Sequence, residues 1–246
     1  MKRRNRKRKK KSLVLSIVMF ILVSLVTYYK NDIDRWIQKS FGYNYSVSYD
    51  MSSIQEYSGQ KYVYINDNEP DFNLGDMVDY SYEEYSELDY LGRCGEAMAN
   101  IGKDLMPTTE RESIGSVKPS GWQISKYDFI DGKYLYNRCH LIGYQLAGEN
   151  ANPKNLITCT RTMNASTMLE FENKVANYVK KTNNHVLYRV TPIFYDDNLI
   201  ASGVEMEALS VEDNGRGIKF HVFIYNVEDN IEIDYKTGNN KLKEAN

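Results

Sequence analysis

The chain has 246 residues, 42% of them hydrophobic and 26% charged, which suits one domain with an appendage and excludes a largely disordered chain. The net charge of −2 joins two unlike parts. Residues 1–11 hold nine of the 31 basic side chains and no acid, leaving 22 basic against 33 acidic groups, a net of −11, in the rest. A body so charged repels phosphate as a whole, so any contact with nucleic acid must come from a local patch.

Residues 1–11, MKRRNRKRKKK, read as a cytoplasmic tail. Residues 12–29 carry no charge and, as a helix, span about 27 Å, close to the thickness of a bilayer core. Tyr28 and Tyr29 sit where an interfacial belt belongs. The expectation is one transmembrane anchor with the rest of the chain outside the cell. The competing reading is a signal peptide and secretion after cleavage; no Ala-x-Ala-like site follows the apolar run. Residues 30–55 are polar and aperiodic and read as a stalk, followed by a domain over 56–246.

Within that domain KYVYIN at 61–66 alternates like a strand, and 67–81 is a loop. Leu88, Leu91, Ala97, Met98 and Ile101 recur at near-helical spacing, so the expectation is a helix from about Glu84 to Leu105, stopped by Pro107. Residues 107–121 are turn-rich. KYLYNRCHLIGY and NLITCT read as strands separated by a loop at 148–154. The clearest helix is 163–182, with Met168, Phe171, Val175 and Val179 in one stripe and lysines at its C-terminal end. HVLYRVTPIFY, LIASGVEMEALSV and IKFHVFIYNV suggest an antiparallel meander. Asn214-Gly215-Arg216-Gly217 is a hairpin turn rather than a phosphate loop, because no helix follows it. The tail after Asp234 is expected to be loose. The fold class is α+β, an antiparallel sheet with packed helices.

Three cysteines in an exported chain allow one disulfide. Cys94–Cys139 is favoured, because both flank segments expected to pack at the site.

The chemistry concentrates in Asn137-Arg138-Cys139-His140, with Asn155 and Asn164 following. Hydrolysis of a phosphodiester needs a base for water, stabilisation of charge on phosphorus and neutralisation of the leaving oxygen. His140 can take the proton, Arg138 can hold a phosphate oxygen, and Asn155 and Asn164 offer carbonyl oxygens. Such a hard-donor set suits Mg²⁺, which keeps most of its waters. His185 and His221 read as packed or solvated residues.

Three runs carry a resemblance: Asn137-Arg138-Cys139-His140-Leu141-Ile142-Gly143-Tyr144, Asn152-Pro153-Lys154-Asn155-Leu156-Ile157-Thr158, and Met163-Asn164, with Lys118-Pro119-Ser120-Gly121-Trp122 upstream. Segment 91–235 resembles the DNA/RNA non-specific endonucleases, a branch of the ββα-metal (His-Me finger) nucleases. With its anchor the chain resembles the membrane-bound members by which Gram-positive bacteria cut DNA outside the cell. The resemblance implies a ββα-metal motif and a largely sequence-non-specific endonuclease acting on DNA, with RNA as an open second substrate. His140 would be the general base, Asn164 the protein ligand of Mg²⁺ (Mn²⁺ as the alternative ion), and Asn155 the holder of the histidine loop. Arg138 would meet phosphate. Glu172, eight residues after Asn164, would order the waters of the metal, with Glu170 the weaker candidate by register. Arg161 is a further candidate for the phosphate patch.

Two positions depart from the family's pattern. Asn137 stands where the family has Asp, removing a negative charge that supports the metal. Cys139 stands where it has Gly. Asn137 keeps open an alternative function, a non-catalytic surface module that captures nucleic acid, for example during DNA uptake.

Overall fold

The computed structural model describes Met19 and residues 54–244. The basic tail, nearly all of the 12–29 segment and the stalk up to residue 53 lie outside the described residues. Among the described residues, no helix is long and apolar enough to cross a membrane.

Alternation of inward and outward side chains builds the main sheet. Its strands are β1 (Tyr62–Tyr64), β2 (Tyr82–Tyr85), β3 (Ala97–Ile101), β6 (Val186–Ile193), β7 (Gly203–Ser210) and β8 (Lys219–Tyr225). They lie in the order β1-β8-β7-β6-β3-β2, every neighbouring pair antiparallel. The three C-terminal runs therefore form the expected meander, and Asn214 and Gly215, both with positive φ, turn the chain from β7 to β8. Period two assigns the faces. Ala97, Ala99, Val186, Tyr188, Val190, Val204, Met206, Phe220 and Val222 share one buried cluster with the stripe Phe171, Val175 and Val179 of helix α2 (Leu169–Thr182). The Phe171 ring lies 5.1 Å from Tyr62 and 4.9 Å from Phe220 between centroids. Lys180 and Lys181 end α2, and Asn183 closes it in the left-handed region at φ 57°.

A separate ribbon, β4 (Tyr136–His140) with β5 (Leu156–Thr160), lies against this helix layer. Between its strands run the short helix α1 (Tyr144–Ala147) and a 3₁₀ turn at Pro153–Asn155. A π-helical turn, Met163–Met168, leads into α2. The ribbon and this helix supply the candidate site.

The helix expected over 84–105 is absent; β2 and β3 occupy its ends. Gly92 at φ 73° and a loop in which Asp89 accepts from the Leu91 and Arg93 amides break the chain. Ala97, Ala99 and Ile101 alternate inward, so their apparent helical spacing is a strand of period two. Nor is the tail loose. Strand β10 (Asn240–Leu242) pairs with β9 (Ile231–Ile233), and the tyrosine hydroxyls of Tyr136 and Tyr127 donate to Gly238 O (2.9 Å) and Asn240 Oδ1 (2.7 Å). Tyrosines distant in sequence add anchors to a tail that also bonds within itself, where the Gly238 amide donates to the Asp234 carbonyl (2.8 Å).

The disulfide joins Cys139 to Cys159, not Cys94 to Cys139. In the β4–β5 register Asn137 faces Cys159 and Cys139 faces Ile157, so the two cysteines are diagonal neighbours on one face, with Cα atoms 5.9 Å apart. Cys94 is a buried free thiol near the Pro153 and Leu156 carbonyls (3.2 Å each).

Candidate active site

His140 ends β4 and is buried to 6% exposure. Its Nε2 lies 2.8 Å from the Asn150 carbonyl oxygen, and its Nδ1 lies 3.3 Å from an Arg111 guanidinium nitrogen. A carbonyl oxygen only accepts and a guanidinium only donates, so the tautomer is fixed: Nε2 carries the proton and Nδ1 keeps its lone pair. Burial holds the imidazole pKa below its ordinary value, and the Arg111 charge acts in the same direction against the Asn150 hydrogen bond. The His140 imidazole is thus neutral and oriented near pH 7.

Asn155 fixes the chain just beyond this base. Its Oδ1 accepts from the Ile142 amide (2.8 Å), its Nδ2 donates to the Ile142 carbonyl (3.0 Å), and its own carbonyl accepts from Leu141 (2.9 Å). The side chain has no exposed surface and is spent on holding the loop.

Asn164 lies in the π-turn. Its Nδ2 donates to Asn137 Oδ1 at 3.3 Å, which leaves the carboxamide oxygen as its remaining acceptor. Asn137 also accepts from Arg161 Nη1 (3.4 Å) and donates to the Tyr134 carbonyl (3.3 Å). An acceptor oxygen is what this position needs to orient Asn164, and asparagine supplies it without the charge. The start of the helix is held by Glu228, which accepts from the Thr162 amide (2.9 Å) and hydroxyl (2.6 Å). One carboxamide oxygen, oriented by Asn137 from the same strand as His140, fits a hard divalent cation that retains its waters.

Glu172 is buried at 9% exposure and faces Gln145 Nε2 at 3.5 Å. Burial pushes its carboxyl up to about 7, against the opposing influence of Gln145 and Arg111. A Cβ on Gly143 would stand 2.5 Å from its Oε2, so glycine at 143 lets the carboxyl come against the loop that follows His140. Glu170, by contrast, is exposed and pairs with Lys174 at 2.8 Å.

Arg138 is engaged elsewhere. Its guanidinium stacks on Trp122, 3.9 Å from the ring centroid, and donates to the Val117 (2.5 Å) and Gly115 (3.0 Å) carbonyls. It tethers the turn-rich 115–122 loop to the ribbon. Arg161 meets Asp131 at 2.7 Å besides Asn137. The cation beside the base is Arg111, which the sequence reading missed. It sits in an irregular segment 29 residues before His140, where no spacing marks it.

The sequence model of the DNA/RNA non-specific endonuclease family matches residues 73–212. Among solved structures, NucA from Streptococcus agalactiae with a magnesium ion bound superposes with a TM-score of 0.65 at 27% identity, covering 73% of this chain and 86% of that one. NucA from the same organism with no metal bound gives 0.67 at 25% identity, over 83% and 99%. Sda1 nuclease with a bound zinc ion gives 0.56 at 28% identity, over 67% and 82%.

Proposed function

This chain belongs to the DNA/RNA non-specific endonuclease family and is a hydrolytic endonuclease, and we propose that it cuts DNA, with RNA as a further substrate, using Mg²⁺ outside the cell. The observation that carries the mechanism is the fixed tautomer of His140. With Nε2 donating to Asn150 O, Nδ1 is the atom that takes a proton from the attacking water. Arg111, 3.3 Å from that nitrogen, presents guanidinium donors to a phosphate oxygen and to the charge that grows on phosphorus, and its turn from Nδ1 to the phosphate frees the lone pair for the water.

Asn164 would hold the ion through its carboxamide oxygen, with Asn137 fixing which end of the amide faces it. Bound there, a divalent ion neutralises charge on the phosphate and the leaving oxygen. Asn155 keeps the loop after His140 in place, Glu172 orders the water around the site, and Arg138 aligns the 115–122 loop. Arg111 and a metal-bound Asn164 would address phosphate and not base edges, which is the chemical basis for weak sequence preference. The extracellular location rests on the basic run and apolar segment at 1–29.

The test is digestion of plasmid and of RNA by the full-length protein with Mg²⁺, with and without EDTA. Cutting of both that stops with EDTA is expected. Cutting of DNA alone removes the RNA claim, and cutting that EDTA leaves untouched refutes the metal.

A further inference from the structure

On the face of the main sheet turned away from α2, three buried side chains converge. Glu205 and Glu207 are two apart on β7, and His221 lies directly across from Glu207 on β8. Their exposures are 8%, 1% and 2%. One ligand atom from each lies within 4.8 Å of the others. None of the three belongs to the nuclease site, and this inference does not depend on the substrate proposed above.

The histidine is oriented from outside the trio. Its Nδ1 lies 2.8 Å from the Glu69 carbonyl oxygen, so Nδ1 carries a proton and Nε2 points at the carboxylates. Nε2 is 2.5 Å from Glu205 Oε1 and 3.6 Å from Glu207 Oε1. A backbone carbonyl on one ring nitrogen, with the other aimed at acid oxygens, is how metal-binding histidines are commonly held. Donors around a tetrahedral ion at about 2.0–2.2 Å stand roughly 3.4 Å apart, so Glu207 is already at that spacing and Glu205 needs to open by about 1 Å.

The charge count points the same way. Arg189 pairs with Glu207 (2.5 Å) and lies 3.8 Å from Glu96. At 2.5 Å from Glu205 the Nε2 of His221 carries a proton, which brings the sum over Glu96, Glu205, Glu207, Arg189 and His221 to −1; a divalent ion that displaces this proton faces a charge of −2 and cancels it. The polypeptide over this cluster is the loop after β1. Asn68 Oδ1 accepts from the His221 amide (3.0 Å), the Asp71 amide donates to Glu207 Oε1 (2.7 Å), and Arg189 donates to the Asp71 carbonyl (2.7 Å).

We propose that Glu205, Glu207 and His221 form a second divalent-cation site of the zinc type, remote from the nuclease site, which fastens the 68–71 loop to the back of the sheet. A histidine with two carboxylates suits Zn²⁺ better than Mg²⁺, which avoids nitrogen, and a water completes four-coordination.

The probe is Zn²⁺ alone, titrated calorimetrically into the chelator-treated full-length protein carrying Asn164→Ala, which removes the ligand of the nuclease site. One zinc per chain is expected. Adding Glu205→Gln, which keeps the side chain's shape, or His221→Gln should weaken it by at least the roughly 10–100-fold that losing even an outer-shell partner costs. Zinc should also slow protease cleavage within 66–76 in the parent and not in the Glu205→Gln protein. Absence of zinc binding in the parent, or binding equal in parent and both variants, overturns the proposal; the first result would mean that a proton on His221 holds the carboxylates together.

Discussion

Glu172→Gln in the metal-free protein separates burial from catalysis. The carboxyl is raised from 4.5 to about 7 in the fold, chiefly by burial. Between those values the folded state binds a proton that the unfolded chain releases, so the carboxyl's contribution to stability falls as pH rises through that window. A carboxyl held protonated up to about 7 makes ionisation of Glu172 in the fold cost about 3 kcal/mol above that pH. Glutamine has the same shape and cannot ionise. The stability of the variant relative to wild type should therefore increase by about 3 kcal/mol from pH 4.5 to pH 8. Urea unfolding in EDTA at both pH values measures it, and taking the difference between pH values cancels the constant cost of a buried amide. With Mg²⁺ at pH 8 the same variant should lose most of its nuclease activity. A stability difference that does not change with pH would refute the burial argument. Full activity would remove Glu172 from the site.

The remaining predictions concern the neighbours of His140. Asn137→Leu removes the acceptor that orients Asn164 and should raise the Mg²⁺ needed for half-maximal cutting by roughly 10–100-fold, whereas Asn137→Asp keeps the oxygen and should need no more Mg²⁺ than wild type. Followed by NMR in the metal-free protein, the His140 imidazole should titrate below 6.5, because burial lowers its pKa; Arg111→Ala should move that midpoint up while lowering the maximal cleavage rate. Replacing both Cys139 and Cys159 by alanine should cost about 3 kcal/mol in urea unfolding, and Cys94→Ala should not alter the response to reductant. Gly143→Ala drives a methyl against the Glu172 carboxyl and should reduce kcat, read by single-turnover cleavage, without abolishing folding in circular dichroism.

The framework of the candidate site was legible because its two strands and the helix after them are local. His140, Asn155 and Asn164 fall within 25 residues, and alternation in the flanking runs marks β4 and β5 as strands. The meander was legible because β6, β7 and β8 are long and regularly alternating. Contacts made at long range left little trace. Arg111 reaches His140 from an irregular loop, and Asn150 acts through a backbone carbonyl that every residue possesses. The 84–105 misreading shows how few apolar residues separate the two periods: Ala97, Met98 and Ile101 fit a helix, and only Ala97, Ala99 and Ile101 together reveal the strand. The disulfide partner depended on register, which places Cys159 diagonal to Cys139 and leaves Cys94 facing carbonyls. His221 read as a packed histidine, and only the pairing of β7 with β8 brought Glu205 and Glu207 to it.

Cleavage of supercoiled plasmid by the His140→Ala protein in saturating Mg²⁺ tests the central claim most directly. Loss of an oriented general base should lower kcat by roughly 10²–10⁴-fold while the protein remains folded and still binds DNA. Cutting at the wild-type rate would contradict the assignment of His140 Nδ1 as the atom that takes the proton from water.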